Sequence, residues 1–170
     1  MKTRTLAMMV SAVVVSAQFT PTAYSGCDNF RFEAVAQLGE IEVAPGVFVM
    51  GGLPTPATIG GVEGLLSSIL TGARPSGSKG QGASHFTLVH TFVSTDPDRP
   101  GIFTTSDTAV FVPAGKNPAT GRINDVMRIV EGTGVFANAD GMMINNAIVD
   151  FANGTMWTEV HGRICADGVE

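Results

Sequence analysis

Cysteine, tyrosine and tryptophan are scarce, with two Cys, one Tyr and one Trp in 170 residues. Two cysteines without CxxC spacing make no structural zinc site. His85 and His90 have opposite parity, so on one strand they face opposite sides and cannot share a metal. His161 stands alone, and neither a metal nor a cofactor is expected. Charge is sparse too, at 15% of residues with a net −5. The basic residues form no run or stripe, which argues against a nucleic-acid partner. No serine lies in a GxSxG elbow. Residues 72–79 (GARPSGSK) miss the phosphate-loop order because Ser78 precedes Lys79. Beyond residue 17 no hydrophobic run is long enough to span a bilayer as a helix, so a transmembrane protein is not expected.

The apolar run that does exist, residues 6–17 (LAMMVSAVVVSA), is of signal-peptide length and follows the basic Lys2 and Arg4. Ala23 and Ser25 suit a cut before Gly26, with Ala17 as an earlier alternative. A buried N-terminal helix is the competing reading, but no acidic residue precedes Asp28, which favours export. Residues 1–25 are therefore read as a signal peptide and 26–170 as one secreted or periplasmic domain. Removal of Lys2 and Arg4 leaves it more acidic than the whole chain. In an oxidising compartment, Cys27 and Cys165 are expected to form a disulfide closing nearly the whole domain. The chain-entropy ceiling for such a loop is about 4–5 kcal/mol. Residues 24–27 (YSGC) offer the alternative of a lipoprotein, with Tyr where a lipobox usually has Leu.

Glycine is abundant (21 residues), and β-branched and aromatic residues come in short bursts between turn signals. This pattern predicts an all-β domain. Strands are expected at 30–38, 41–49 (broken by Pro45-Gly46), 57–70, 84–93, 103–112, 122–130, 142–151 and 155–165. Prolines at 54 and 56 mark an expected turn, 74–82 a loop, and Asn153-Gly154 a hairpin turn. A short helix over 62–70 is disfavoured by Gly60, Gly61 and Gly64. Asn153-Gly154-Thr155 also matches a glycosylation sequon. Eight antiparallel strands either close or stack as a sandwich. A bridge between the first and last strands favours a closed antiparallel eight-stranded barrel, since closure also removes exposed edges.

Residues 131–141 (EGTGVFANADG) resemble the G-G-T-G-x-F-x-x-A-x-G turn of the allene oxide cyclase and dirigent barrel superfamily. The segments at 57–61, 90–92, 104–107 and 162–165 resemble small exported bacterial members, so the similarity spans about 57–165. Glu131 and Asp140 depart from the pattern. The motif's content is structural: Gly132, Gly134 and Gly141 are expected to permit positive φ, and Phe136 to plug a barrel end. The resemblance implies an eight-stranded barrel, often a homotrimer, with an apolar lumen. Allene oxide cyclases close a ring on a fatty-acid epoxide, dirigent proteins steer phenoxy-radical coupling, and related bacterial barrels cyclise polyketides. None of their catalytic residues aligns here, and fold alone does not assign function.

Alternation nominates lumen residues. Phe86, Leu88, His90 and Phe92 share a face, as do Phe103, Thr105, Asp107, Ala109 and Phe111. The set on the next strand is Asn124, Val126, Arg128 and Val130. Pairing Val93 with Thr104 and Val112 with Ile123 aligns His90, Asp107 and Arg128 in one inward row, a candidate catalytic set for protonating a carbonyl or epoxide. A one-residue slip destroys it, and a structural network of paired buried charges explains it equally. Glu63, Phe86, Phe92, Phe103 and Phe111 are the candidate ligand-binding residues, Glu63 also reading as an ordinary surface acid. Trp157, Glu159, His161 and Arg163 read as a solvated or subunit-facing surface, and Met142-Met143 as core. Three functions remain: a cofactor-independent cyclase or isomerase acting on a small hydrophobic substrate, a non-catalytic ligand-binding barrel, and an interaction protein with a filled core.

Overall fold

The computed structural model describes residues 26–76, 82–115 and 117–169, so the expected signal segment lies outside the described residues. Eight strands follow in order: β1 (Gly26–Ala44), β2 (Val47–Ile59), β3 (Val62–Pro75), β4 (Ser84–Ser94), β5 (Gly101–Ala114), β6 (Asn117–Gly134), β7 (Asp140–Asp150) and β8 (Thr155–Ala166). Each pairs antiparallel with the next, and β1 closes on β8, giving the closed eight-stranded barrel expected from the sequence.

The first three strands are divided differently from the expectation. Pro45-Gly46 is the β1–β2 turn, and the glycine has φ 74°. Gly60 and Gly61, at φ 59° and 68°, form the tight β2–β3 turn inside the stretch read as one long strand. Pro54 and Pro56 lie within β2 rather than in a turn. The β1–β2 ladder explains why they are tolerated. It runs only from Leu38↔Gly52 to Ala44↔Val47, and beyond it β2 pairs with β3 alone. A proline there removes no ladder donor on the unpaired side. The other part of β1, Gly26 to Gln37, pairs with β8.

All the odd-to-even hairpins (β1–β2, β3–β4, β5–β6 and β7–β8) fall at one end of the barrel, and the remaining turns, the start of β1 and the end of β8 fall at the other. The second end is closed. Phe136, fully buried on the β6–β7 turn, meets Phe92 and Phe103 edge-on at centroid distances of 5.6 and 5.1 Å. Ile59, Val62, Ile164 and Val169 belong to the same cluster. The turn motif thus plugs the barrel as expected, with one correction. Of its three glycines only Gly134 has positive φ (60°), and Asn138 takes the other left-handed position at 59°. Gly132 is required by proximity instead, since a Cβ there would lie 1.9 Å from the carbonyl oxygen of Phe136.

Cys27 pairs directly with Cys165 across β1–β8, at a Cα separation of 4.0 Å, and the two form the expected disulfide. Strict alternation also divides Met142-Met143: Met143 is fully buried, whereas Met142 is 52% exposed on the outer wall.

Candidate functional site

Register decides which side chains meet in the lumen. On β4–β5, Leu88 faces Asp107 and Thr91 faces Thr104. This differs by two residues from the expected pairing, so every side chain keeps its face. His90 therefore comes level with Thr105, whose Oγ1 accepts the His90 backbone N–H at 3.0 Å, and reaches Asp107 diagonally. The His90 Nδ1 lies 2.7 Å from Asp107 Oδ2.

On β5–β6 the difference is one residue, and it reverses the assignment. Val112 pairs with Arg122 and Asp107 with Met127. Arg128 is consequently on the outer wall, exposed, and the His90–Asp107–Arg128 row does not form. Ile123, Asp125, Met127 and Ile129 face inward in place of Asn124, Val126, Arg128 and Val130. Asp125 occupies the position expected of the arginine, with its Oδ2 3.9 Å from His90 Nδ1.

His90, Asp107 and Asp125 are 6%, 3% and 2% exposed. One oxygen of each carboxyl, Asp107 Oδ1 and Asp125 Oδ1, is buried without a hydrogen-bond partner. Burial pushes the Asp125 carboxyl up to about 7; His90 opposes that rise and Asp107 adds to it. Ligating atoms of the three residues all lie within 4.8 Å of one another, a spacing that could hold a divalent cation. No local spacing announces this cluster, because the three residues sit on three different strands.

Other polar side chains ring the same level. Ser68, opposite His90, accepts the Gly52 N–H at 3.0 Å. Asn145, opposite Asp125, accepts a hydrogen bond from Thr158. Above this ring, toward the hairpin end, lies an open cavity of about 90 Å³. Leu38, Met50, Leu70, Phe86, Leu88, Ile123 and Phe151 form its walls, and His90, Asp125 and Asn145 its polar floor. A smaller hollow of about 30 Å³ shares Gly52, Ser68, His90, Asn145 and Met156 with it and extends between β1 and β2.

The five candidate ligand residues separate accordingly. Phe86 lines the cavity. Phe111, 5% exposed, supports it by stacking on Phe86 at 6.2 Å and meeting Phe151 at 5.2 Å. Phe92 and Phe103 stack on each other at 5.2 Å within the closed end, away from the cavity. Glu63 is exposed on the outer wall because the Gly60-Gly61 turn restarts the alternation at Val62. Trp157, Glu159, His161 and Arg163 also face outward, and Glu159 is 3.1 Å from Arg31 across β1–β8.

No protein-family model matches the chain, and no curated protein matches it. Among solved structures it is similar to two pterocarpan synthase dirigent proteins. The first is 17% identical with a TM-score of 0.47, covering 82% of this chain and 86% of that one. The second is also 17% identical with a TM-score of 0.47, covering 85% of this chain and 97% of that one. At this level of identity the likeness concerns the fold alone.

Proposed function

We propose that the barrel binds a small, mostly apolar molecule in the hairpin-end half of its lumen, with the molecule's polar end on the floor. The observation that carries this reading is an open, apolar-walled cavity ending on two buried ionisable side chains, His90 and Asp125, with Asp107 bonded to His90 behind them. Apolar walls with a few convergent polar groups are the usual composition of a small-molecule site. The aromatic plug fills only the opposite end, so an interaction protein with a filled core is the weaker reading. Native mass spectrometry of protein purified from its own source tests it. A retained small-molecule mass, lost when Leu88→Trp fills the cavity, is the expected result. An apo mass, together with no binding of small apolar probes by NMR, would refute it.

The same experiment reads the oligomeric state, for which the family resemblance suggests a trimer. Export is part of the proposal, and the Cys27–Cys165 bridge supports an oxidising compartment.

Asp125 favours a second reading on the same site, proton transfer. A carboxyl with a pKa of about 7 both holds and releases a proton near neutral pH. With His90 beside it, the chemistry that follows is a cofactor-independent isomerisation or cyclisation of the bound molecule. Asp125→Asn would then abolish turnover while leaving the cavity walls, and apolar binding, intact.

A further inference from the structure

Among the described residues, the lumen has acids and no matching base of fixed charge. Among the described residues, Arg31, Arg74, Arg122, Arg128 and Arg163 are all exposed on the outer wall. Arg99 is held on the β4–β5 loop by Asp96 and the Gly61 carbonyl. Two carboxyls therefore share a single histidine, and each keeps one buried oxygen with nothing to accept from. Buried charges are normally paired, and an unpartnered buried acceptor in a native fold needs a partner or an explanation. Asp125 and His90 line the open cavity, so a donor arriving through the hairpin-end mouth reaches them. Phe86 and Phe151 line that route.

From this arrangement we infer that the ligand is a small amphiphilic amine, its ammonium seated on Asp125 and its apolar chain against Phe86, Leu88 and Ile123. This rests on the lumen being a binding site and adds the chemical class of its occupant. An ammonium supplies both things the floor lacks, positive charge and N–H donors for the orphan oxygens. A carboxylate head would instead bring a further negative charge against Asp107 and Asp125 in a low-dielectric pocket, with no guanidinium or ammonium among the described residues to receive it. An alcohol supplies one donor but leaves the charge unpaired. The choice of head group is thus electrostatic, while the walls accept any short apolar chain. Protonation of Asp125 removes the attraction, so affinity should fall with acidification. His90 and Asp107 are the other titratable groups facing the seat.

Three probes of equal chain length separate these terms: hexylamine, hexanol and hexanoate, titrated by NMR at pH 8 with a chelator present to keep divalent ions from the cluster. Hexylamine should bind at least about tenfold more tightly than either of the others, the ratio expected when one probe alone pairs a buried charge. Asp125→Asn should abolish that preference, with an unchanged far-UV circular dichroism spectrum showing that the variant is folded. Asp107→Asn should weaken it in the same direction, and lowering the pH to 6 should weaken hexylamine binding to the wild type. Equal or tighter binding of hexanoate or hexanol would overturn the inference and leave the lumen-binding reading standing. So would an amine preference that survives both Asn variants. Binding of none of the three would overturn both.

Discussion

His90 Nδ1 lies 2.7 Å from Asp107 Oδ2, and both groups are buried. Asp125 Oδ2 stands 3.9 Å from the same nitrogen. The first prediction follows from Asp125. Its carboxyl binds a proton more tightly in the folded chain, with a pKa of about 7 against an ordinary 3.8. The native state therefore holds the extra proton between those values, and stability falls as pH rises through that window. The full effect is at most roughly 4 kcal/mol at one pKa unit per 1.36 kcal/mol. Asp125→Asn should be more stable than the wild type at pH 8, and the gap should close toward pH 4. Urea denaturation at both pH values measures it; the same gap at both would refute it.

Arg128 provides the control for the register. On the outer wall it touches nothing in the lumen. Arg128→Ala should shift stability by less than about 0.5 kcal/mol and leave probe binding unchanged, as surface substitutions usually do. A loss of binding comparable to that of Asp125→Asn would mean that β6 faces the other way.

The two aromatic groups should respond oppositely to truncation. Phe136→Ala empties the centre of the closed end and should lower stability by about 3–5 kcal/mol, with probe affinity little changed per folded molecule. Phe86 is only partly buried at the cavity wall. Phe86→Ala should lower stability much less and weaken hexanol and hexylamine binding together. Thermal melts run beside NMR titrations distinguish the two patterns.

Reduction of the Cys27–Cys165 bridge should lower stability by about 2–4 kcal/mol while the barrel remains closed, because the β1–β8 ladder extends from Gly26 to Gln37 independently of it. Chemical denaturation with and without reductant checks this. Unchanged far-UV circular dichroism with a lowered midpoint is the expected pair of results.

Strand periodicity and glycine punctuation made most of the barrel legible before any coordinates. The disulfide followed from the cysteine count and the expected compartment. The inward faces of β4 and β5 were legible as well, because Phe86, Leu88 and Phe92 mark the one and Phe103 and Phe111 the other. On β6 the signal failed for a physical reason: Val126 and Val130 lie outside and Asp125 inside, so hydrophobicity pointed the wrong way at the position that matters. A buried acid looks like a surface residue in sequence, and only the pairing of Asp107 with Met127 reveals it. Gly60-Gly61 failed differently, since two glycines in a β-rich stretch read equally as a bulge or a turn.

The ring of strands is fastened unevenly. At β1–β8 a covalent bridge and a long ladder hold it, whereas at β1–β2 the ladder stops at Leu38↔Gly52 and two prolines forbid its extension. Mechanically the barrel is a sleeve with a riveted side and a short clasp. Any breathing that widens the lumen will start at the clasp, beside Ser68 and His90, and amide exchange should be fastest along that lip.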